Sequence, residues 1–155
     1  MTYVLDTNIV SEVFKKKPNH EAIWWMQDFA GQLYITTVTI MELYYGILRL
    51  PDGKRKKQYL DTVDAIMREE KSRTYDFDGF SAYLCADIRR KAEAVGRTPQ
   101  IADAMIAAIC KRHDATLVTH NVKDFDYMDV KLLDPFDYEP PILAELRRRE
   151  AEGAK

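Results

Sequence analysis

Apolar and polar positions along the chain follow two periods in turn: short apolar runs, then longer stretches at helical spacing. Val4-Leu5, Leu33-Tyr34-Ile35-Thr36, Thr74-Tyr75-Asp76-Phe77, Thr116-Leu117-Val118-Thr119 and Val130-Lys131-Leu132-Leu133 read as strands. Asp6-Thr7-Asn8, directly after the first, has the composition of a helix start. A helix is predicted from about His20 to Ala30, after Pro18. Thr39-Ile40-Met41-Glu42 matches a capping box and predicts a helix to about Leu50 with Glu42 in its first turn. From Gly53 to about Arg73, Tyr59, Leu60, Val63, Ile66 and Met67 recur at helical spacing. Asp78 caps a further helix with Phe80, Leu84, Ile88, Ala92 and Val95 on one face, closed by Gly96. The last clear helix covers Ile101 to His113. Such alternation predicts an α/β fold with a mostly parallel sheet of four to five strands, covered on both faces.

Within the helix from His20, Ala22, Ile23, Met26, Phe29 and Ala30 form an apolar arc centred near Met26. Trp24 falls about 200° away, beside His20, Gln27 and Asp28. Met26 is therefore expected in the core, and Trp24 exposed as an anchor for a partner unless another helix of the chain covers it.

Length and composition narrow the class. The chain has 155 residues, 46% apolar and 31% charged, which fits one globular domain with its own core. The apolar runs are too short to cross a bilayer, and the opening Met1-Thr2-Tyr3-Val4-Leu5-Asp6 lacks the marks of a signal peptide. A cytoplasmic protein without membrane contact is expected, with Cys85 and Cys110 as buried thiols in helices. Net charge is −2, so this is no simple basic coat for nucleic acid. Residues 139–155 form a strongly charged tail, expected as a loosely attached helix or disorder after a domain of residues 1–138.

Candidate chemistry rests on four acids. In an open parallel sheet, ligands bind beyond the carboxyl ends of the strands where strand order reverses. Asp6 follows the first strand, Asp124 lies in the loop after Thr119, and Glu42 opens the helix after the second strand. Asp103 interrupts an otherwise apolar helix start, Ile101-Ala102-Asp103-Ala104-Met105-Ile106. Each has a plain structural explanation: helix caps for Asp6 and Glu42, a turn for Asp124, an outward first-turn position for Asp103. Taken together they suggest more. Two carboxylates about 4 Å apart repel by about 4 kcal/mol at an effective dielectric near 20, so four in one pocket call for a cation. Mg²⁺ or Mn²⁺ suits all-oxygen ligands and can activate water against a phosphodiester.

The segments Val4-Leu5-Asp6-Thr7-Asn8, Val38-Thr39-Ile40-Met41-Glu42-Leu43-Tyr44-Tyr45-Gly46, Ile101-Ala102-Asp103-Ala104-Met105-Ile106-Ala107 and Val118-Thr119-His120-Asn121-Val122-Lys123-Asp124-Phe125 resemble the successive motifs of PIN-domain toxins of the VapC family, including its FitB-like members. The acids follow one another at 36, 61 and 21 residues, and the likeness spans about residues 3 to 134. It implies a PIN-domain-like α/β/α sandwich and a Mg²⁺- or Mn²⁺-dependent endoribonuclease that cleaves RNA with a metal-activated water. It also implies the toxin role in a type II toxin–antitoxin system: a homodimer, a cognate antitoxin, and operator DNA reached only through that antitoxin. Asp6, Glu42, Asp103 and Asp124 would then be catalytic and hold the metal, with Thr7, Asn8, Thr119 and Asn121 in support. Some relatives place the last acid where this chain has Asn121 and others where it has Asp124; the assignment goes to Asp124.

Rival classes fit less well. Asp6-Thr7-Asn8 resembles the aspartyl-nucleophile phosphatases, but Asn8 stands where their general acid is needed. His20, His113 and His120 lack zinc-ligand spacing to one another or to the cysteines. The alternative from another class is a catalytically silent module of the same fold that binds RNA or an antitoxin. The basic runs Lys15-Lys16-Lys17 and Lys54-Arg55-Lys56-Lys57 suit either RNA guidance or solvated helix ends.

Overall fold

A computed structural model describes residues 1–69 and 73–153. Five strands, β1 (Tyr3–Leu5), β2 (Leu33–Thr36), β3 (Thr74–Tyr75), β4 (Thr116–Val118) and β5 (Lys131–Leu133), form one sheet in the order β3-β2-β1-β4-β5. Every pair among the described residues is parallel. Among the described residues seven helices connect or flank them: α1 (Thr7–Val10), α2 (His20–Asp28), α3 (Thr37–Leu48), α4 (Lys54–Glu69), α5 (Gly79–Ala94), α6 (Ile101–Arg112) and α7 (Pro141–Gly153). The strand order runs outward from β1 in one direction and resumes from β4 in the other. The sheet therefore has its switch point between β1 and β4.

Side chains alternate across the strands, so the sheet feeds two cores. Val4 and Leu117 pack with Cys85, Ile88 and the apolar residues of α6, whereas Tyr3, Leu5 and Val118 pack with Ile9, Trp25, Leu43, Ile47 and Val63. Helices α5 and α6 cover one face and α1 to α4 the other, giving the expected α/β/α sandwich. Cys85 and Cys110 are free and buried, as anticipated.

Several local expectations are corrected. The centre of the α2 core face is not Met26 but Trp25, which is 2% exposed, stacks on Phe29 at 5.1 Å and meets Tyr3 edge-on at 5.0 Å. Met26 is only half-buried at the edge of that cluster, and Ala30 is exposed. The large indole outweighs Met26 in the arc, and its burial rotates the helix accordingly. Trp24 is 36% exposed, as expected, but it borders a cleft shared with Phe136, Tyr138, Pro140 and Leu143 of the chain's own C-terminal segment. That segment forms helix α7, whose residues are mostly exposed. On α5 the buried stripe is Ser81, Cys85, Ile88 and Ala92, while Phe80 and Val95 point outward. Small residues let α6 approach α5 closely, which leaves Phe80 and Val95 beyond the contact. The predicted continuation of α4 over residues 70–72 and the end of the tail at 154–155 lie outside the described residues.

Candidate active site

Asp6 directly follows β1 and caps α1, and both its cap role and its burial follow from the tight strand-to-helix turn. The residue is only 4% exposed. Oδ1 accepts the Thr7 N–H at 2.8 Å; Oδ2 accepts the Asn8 Nδ2 amide at 2.6 Å and the Thr119 hydroxyl at 2.8 Å. Thr119, fully buried just past β4, also accepts the backbone N–H of Asn121 at 3.0 Å. Asn8 bridges the same two strands, donating to Thr119 Oγ1 at 3.0 Å and accepting the His120 N–H at 3.2 Å. A closed network therefore fixes one carboxylate at the switch point.

Glu42 is not placed by a capping box. Thr36 caps α3, accepting the Thr39 N–H at 2.9 Å, so the cap lies three residues earlier than expected and Glu42 sits in the second turn of the helix. β2 ends on Thr36 itself, and the residue that closes the strand supplies the cap. Freed from capping, the Glu42 side chain reaches across to α1, where Oε2 accepts the Thr7 hydroxyl. Asp103 occupies the first turn of α6, half-buried between exposed Ile101 and buried Ala104. Asp124 ends a 3₁₀ turn, Val122–Asp124, after β4.

Electrostatics ties the four acids together. Asp103 is pushed up to about 7, by burial first and then by the charges of Asp6, Glu42 and Asp124. Asp6 is raised above the ordinary carboxylate range by burial and by Glu42, against the lowering effect of its own hydrogen bonds. Asp124, rather than Asn121, belongs to this charged set. The Asn121 side chain is exposed and makes no hydrogen bond among the described residues.

Metal-ligand chemistry here is all oxygen. Among the described residues, no three His, Cys, Asp or Glu side chains draw together tightly enough to enclose an ion by themselves. A carboxylate-only donor set is the kind that hard cations prefer, and it lacks the nitrogen and sulfur ligands of a closed tetrahedral zinc site. The histidines are engaged elsewhere: His113 stacks on Tyr75, His20 meets Trp24, and His120 stacks on Phe136.

Two neighbours of the acids carried no sequence signal. Arg97, in the loop before α6, donates to the Lys123 carbonyl at 3.1 Å and lies 4.0 Å from the centre of the Tyr127 ring. Tyr127 in turn feels the charges of Asp103 and Asp124. The tie joins the loop leading to Asp103 with the one bearing Asp124, across 26 positions, a distance that no local pattern reveals. Of the basic runs, Lys15 is engaged with Glu12 and Lys56 with Asp52. Lys16, Lys17, Lys54, Arg55 and Lys57 are exposed.

Comparison with known proteins agrees with this geometry. The model of the PIN domain matches residues 3–131. The chain is 30% identical to "Toxin FitB" of Neisseria gonorrhoeae over 86% of its own length and 97% of that protein. It is 26% identical to "VapC ribonuclease Y4jK" of Sinorhizobium fredii over 86% and 97% of the two. Among solved structures it superposes on a FitAB complex bound to a DNA fragment with a TM-score of 0.83, at 29% identity, covering 90% of this chain and 99% of the other. With its strands, switch point and acids in this arrangement, the chain belongs to the PIN domain family, among the FitB and VapC toxins.

Proposed function

We propose that this protein is the ribonuclease toxin of a type II toxin–antitoxin pair, a Mg²⁺- or Mn²⁺-dependent hydrolase of RNA phosphodiesters. The observation that carries the reading is a buried Asp6 at the switch point within a set of four acids: the charge of Glu42 acts on Asp6, and those of Asp6, Glu42 and Asp124 all act on Asp103. FitB and VapC relatives named as toxin and ribonuclease support it. Their partnership in complexes such as the FitAB–DNA structure supports a cognate antitoxin, with operator DNA reached through that antitoxin. No helix among the described residues is long and apolar enough to cross a membrane, in keeping with a cytoplasmic enzyme. A homodimer belongs to the same reading, and Trp24 offers the antitoxin an exposed indole.

Asp6, Glu42, Asp103 and Asp124 would hold the ion. When bound, it would supply a polarised water and counter-charge for the phosphate. Asp6 is pre-set for this: Oδ1 accepts one hydrogen bond and keeps a lone pair, while Asn8 and Thr119 hold Oδ2. Thr7 orients Glu42 through its hydroxyl. Without an ion, Asp103 carries a proton for much of the time near neutrality. Arg97 would steady the loop that bears Asp124, through the Lys123 carbonyl and the Tyr127 ring.

Purified protein should cleave RNA only with divalent metal and leave 5′-phosphate and 3′-hydroxyl ends. Equal cleavage in excess EDTA, or a 2′,3′-cyclic phosphate product, would refute the mechanism.

A further inference from the structure

Beyond the ends of β4 and β5 lies a cavity that the four acids do not explain. It measures about 390 Å³ and is lined by His120, Asn121, Val122, Lys123, Asp124 and Asp134. That volume falls within the roughly 300–1,000 Å³ of small-ligand clefts. Asp124 belongs both to the cavity and to the charged set around Asp103, so a group seated there lies directly beside the proposed metal site.

The polar groups of its wall are held by one another. The His120 ring lies 3.8 Å from Phe136 at an interplanar angle of 9°, and its Nδ1 is 3.0 Å from Asp134 Oδ2. Its backbone N–H is held by Asn8 at 3.2 Å. Asp134 Oδ1 accepts the Phe136 N–H at 3.0 Å, so both carboxylate oxygens are occupied by the wall itself. With Nδ1 donating to a carboxylate, Nε2 of the neutral ring is an acceptor. Asn121 has its backbone N–H fixed on Thr119, while its side-chain amide has no partner among the described residues. That amide offers two donors and one acceptor. Lys123 adds an exposed ammonium, and its carbonyl is pinned by Arg97. One ring acceptor, one free amide and one cation complement a base edge and a phosphate, the groups that single-stranded RNA presents.

We propose that this cavity seats one nucleotide of single-stranded RNA next to the scissile phosphodiester, with Asn121 and His120 reading its base edge and Lys123 holding its phosphate. The proposal rests on the ribonuclease reading above and assigns that enzyme a sequence-selecting subsite.

The test is cleavage of a random-sequence single-stranded RNA pool by the full-length protein, with the new ends sequenced. Wild type should favour one base by about tenfold or more at one position beside the cut, the discrimination expected of a good two-bond base contact. Asn121→Ala should flatten that position to under about threefold while preferences elsewhere persist. Because the Asn121 side chain is exposed and bonds to nothing among the described residues, Asn121→Ala should stay folded. His120→Phe preserves the stack on Phe136, removes Nε2, and should weaken the same position. Lys123→Ala should raise KM more than it lowers kcat and reduce the salt dependence of binding. An unchanged profile in both Asn121→Ala and His120→Phe overturns the subsite, as does a wild-type enzyme that cuts without preference at any flanking position. A wild-type protein that cuts nothing in the pool overturns the ribonuclease reading itself.

Discussion

Two buried carboxylates six positions apart, Asp6 and Glu12, have opposite electrostatic fates. Glu12 is 1% exposed, and burial alone would raise it. The Lys15 ammonium and the Asn19 N–H, at 2.8 Å, outweigh that burial and hold it below the ordinary range. Asp6 accepts three hydrogen bonds and still ends above its ordinary range, because burial and Glu42 outweigh them. The difference is a cation. At Glu12 the chain supplies its own; at Asp6 it supplies further carboxylates, and none of the four acids has an ion pair among the described residues. A buried charge needs compensation, so the first arrangement is complete as folded, and the second is where we propose that a cation from outside binds.

The largest expected effect separates the two directly. Asp103→Asn should lower cleavage by about a thousandfold or more, since losing a metal-holding carboxylate costs several kcal/mol of transition-state stabilisation. The same change should leave the fold intact and raise the melting temperature measured in EDTA, because it removes one of four mutually repelling charges. Unchanged turnover, or a clear drop in metal-free melting temperature, would remove Asp103 from the site.

Next in size is the response of wild type to metal and pH. Asp103 rises from an ordinary 3.8 to about 7 on folding without metal. In that interval the folded state binds more protons than the unfolded one, so stability falls as pH rises from about 4 to about 7. A metal-free melting temperature should therefore drop by several degrees over this range. Saturating Mg²⁺ or Mn²⁺ should recover the loss at neutral pH, by mass action on the folded state alone. A metal-free melting curve that strengthens toward neutrality would contradict a crowded acidic site.

The alternation of strands and helices made the sandwich readable in advance, because a parallel sheet needs crossovers and both of its faces covered. Strand-end positions and the apolar helix start around Asp103 also pointed to Asp6, Glu42, Asp103 and Asp124; in the structure their charges act on one another, and their part in metal binding is the proposal above. What escaped depends on tertiary geometry. The capping-box match at Thr39 lost to Thr36, because the strand delivers its last residue already in extended conformation at the helix entry. Met26 lost the core centre to Trp25, since helical spacing marks an arc but not which side chain fills the space beneath it. Glu12 gave no sign of being buried. Its partner Lys15 belongs to a basic run that suits RNA guidance or solvated helix ends equally, and Asn19 lies in no motif.

Glu12 provides the smallest and sharpest test of the comparison. Its carboxylate accepts the backbone N–H of Asn19, and Asn19 in turn caps α2 by accepting the Ala22 N–H at 2.7 Å. Glu12→Ala orphans that N–H and loosens the cap, which should cost about 1–3 kcal/mol in denaturant unfolding, read as a shifted midpoint at unchanged slope. Glu12→Gln retains an acceptor for Asn19 and loses the charge, so its cost should be smaller, roughly 1 kcal/mol or less. The pH signs also differ from those of the acidic site. A carboxylate held below its ordinary 4.5 adds stability above that value and loses it as pH falls, so the Glu12→Gln deficit should shrink toward acid pH. Both variants should retain metal-dependent cleavage once folded. If folded Glu12→Gln instead loses cleavage as severely as Asp103→Asn, Glu12 belongs to the catalytic set, and a self-supplied cation no longer distinguishes a structural carboxylate from a functional one.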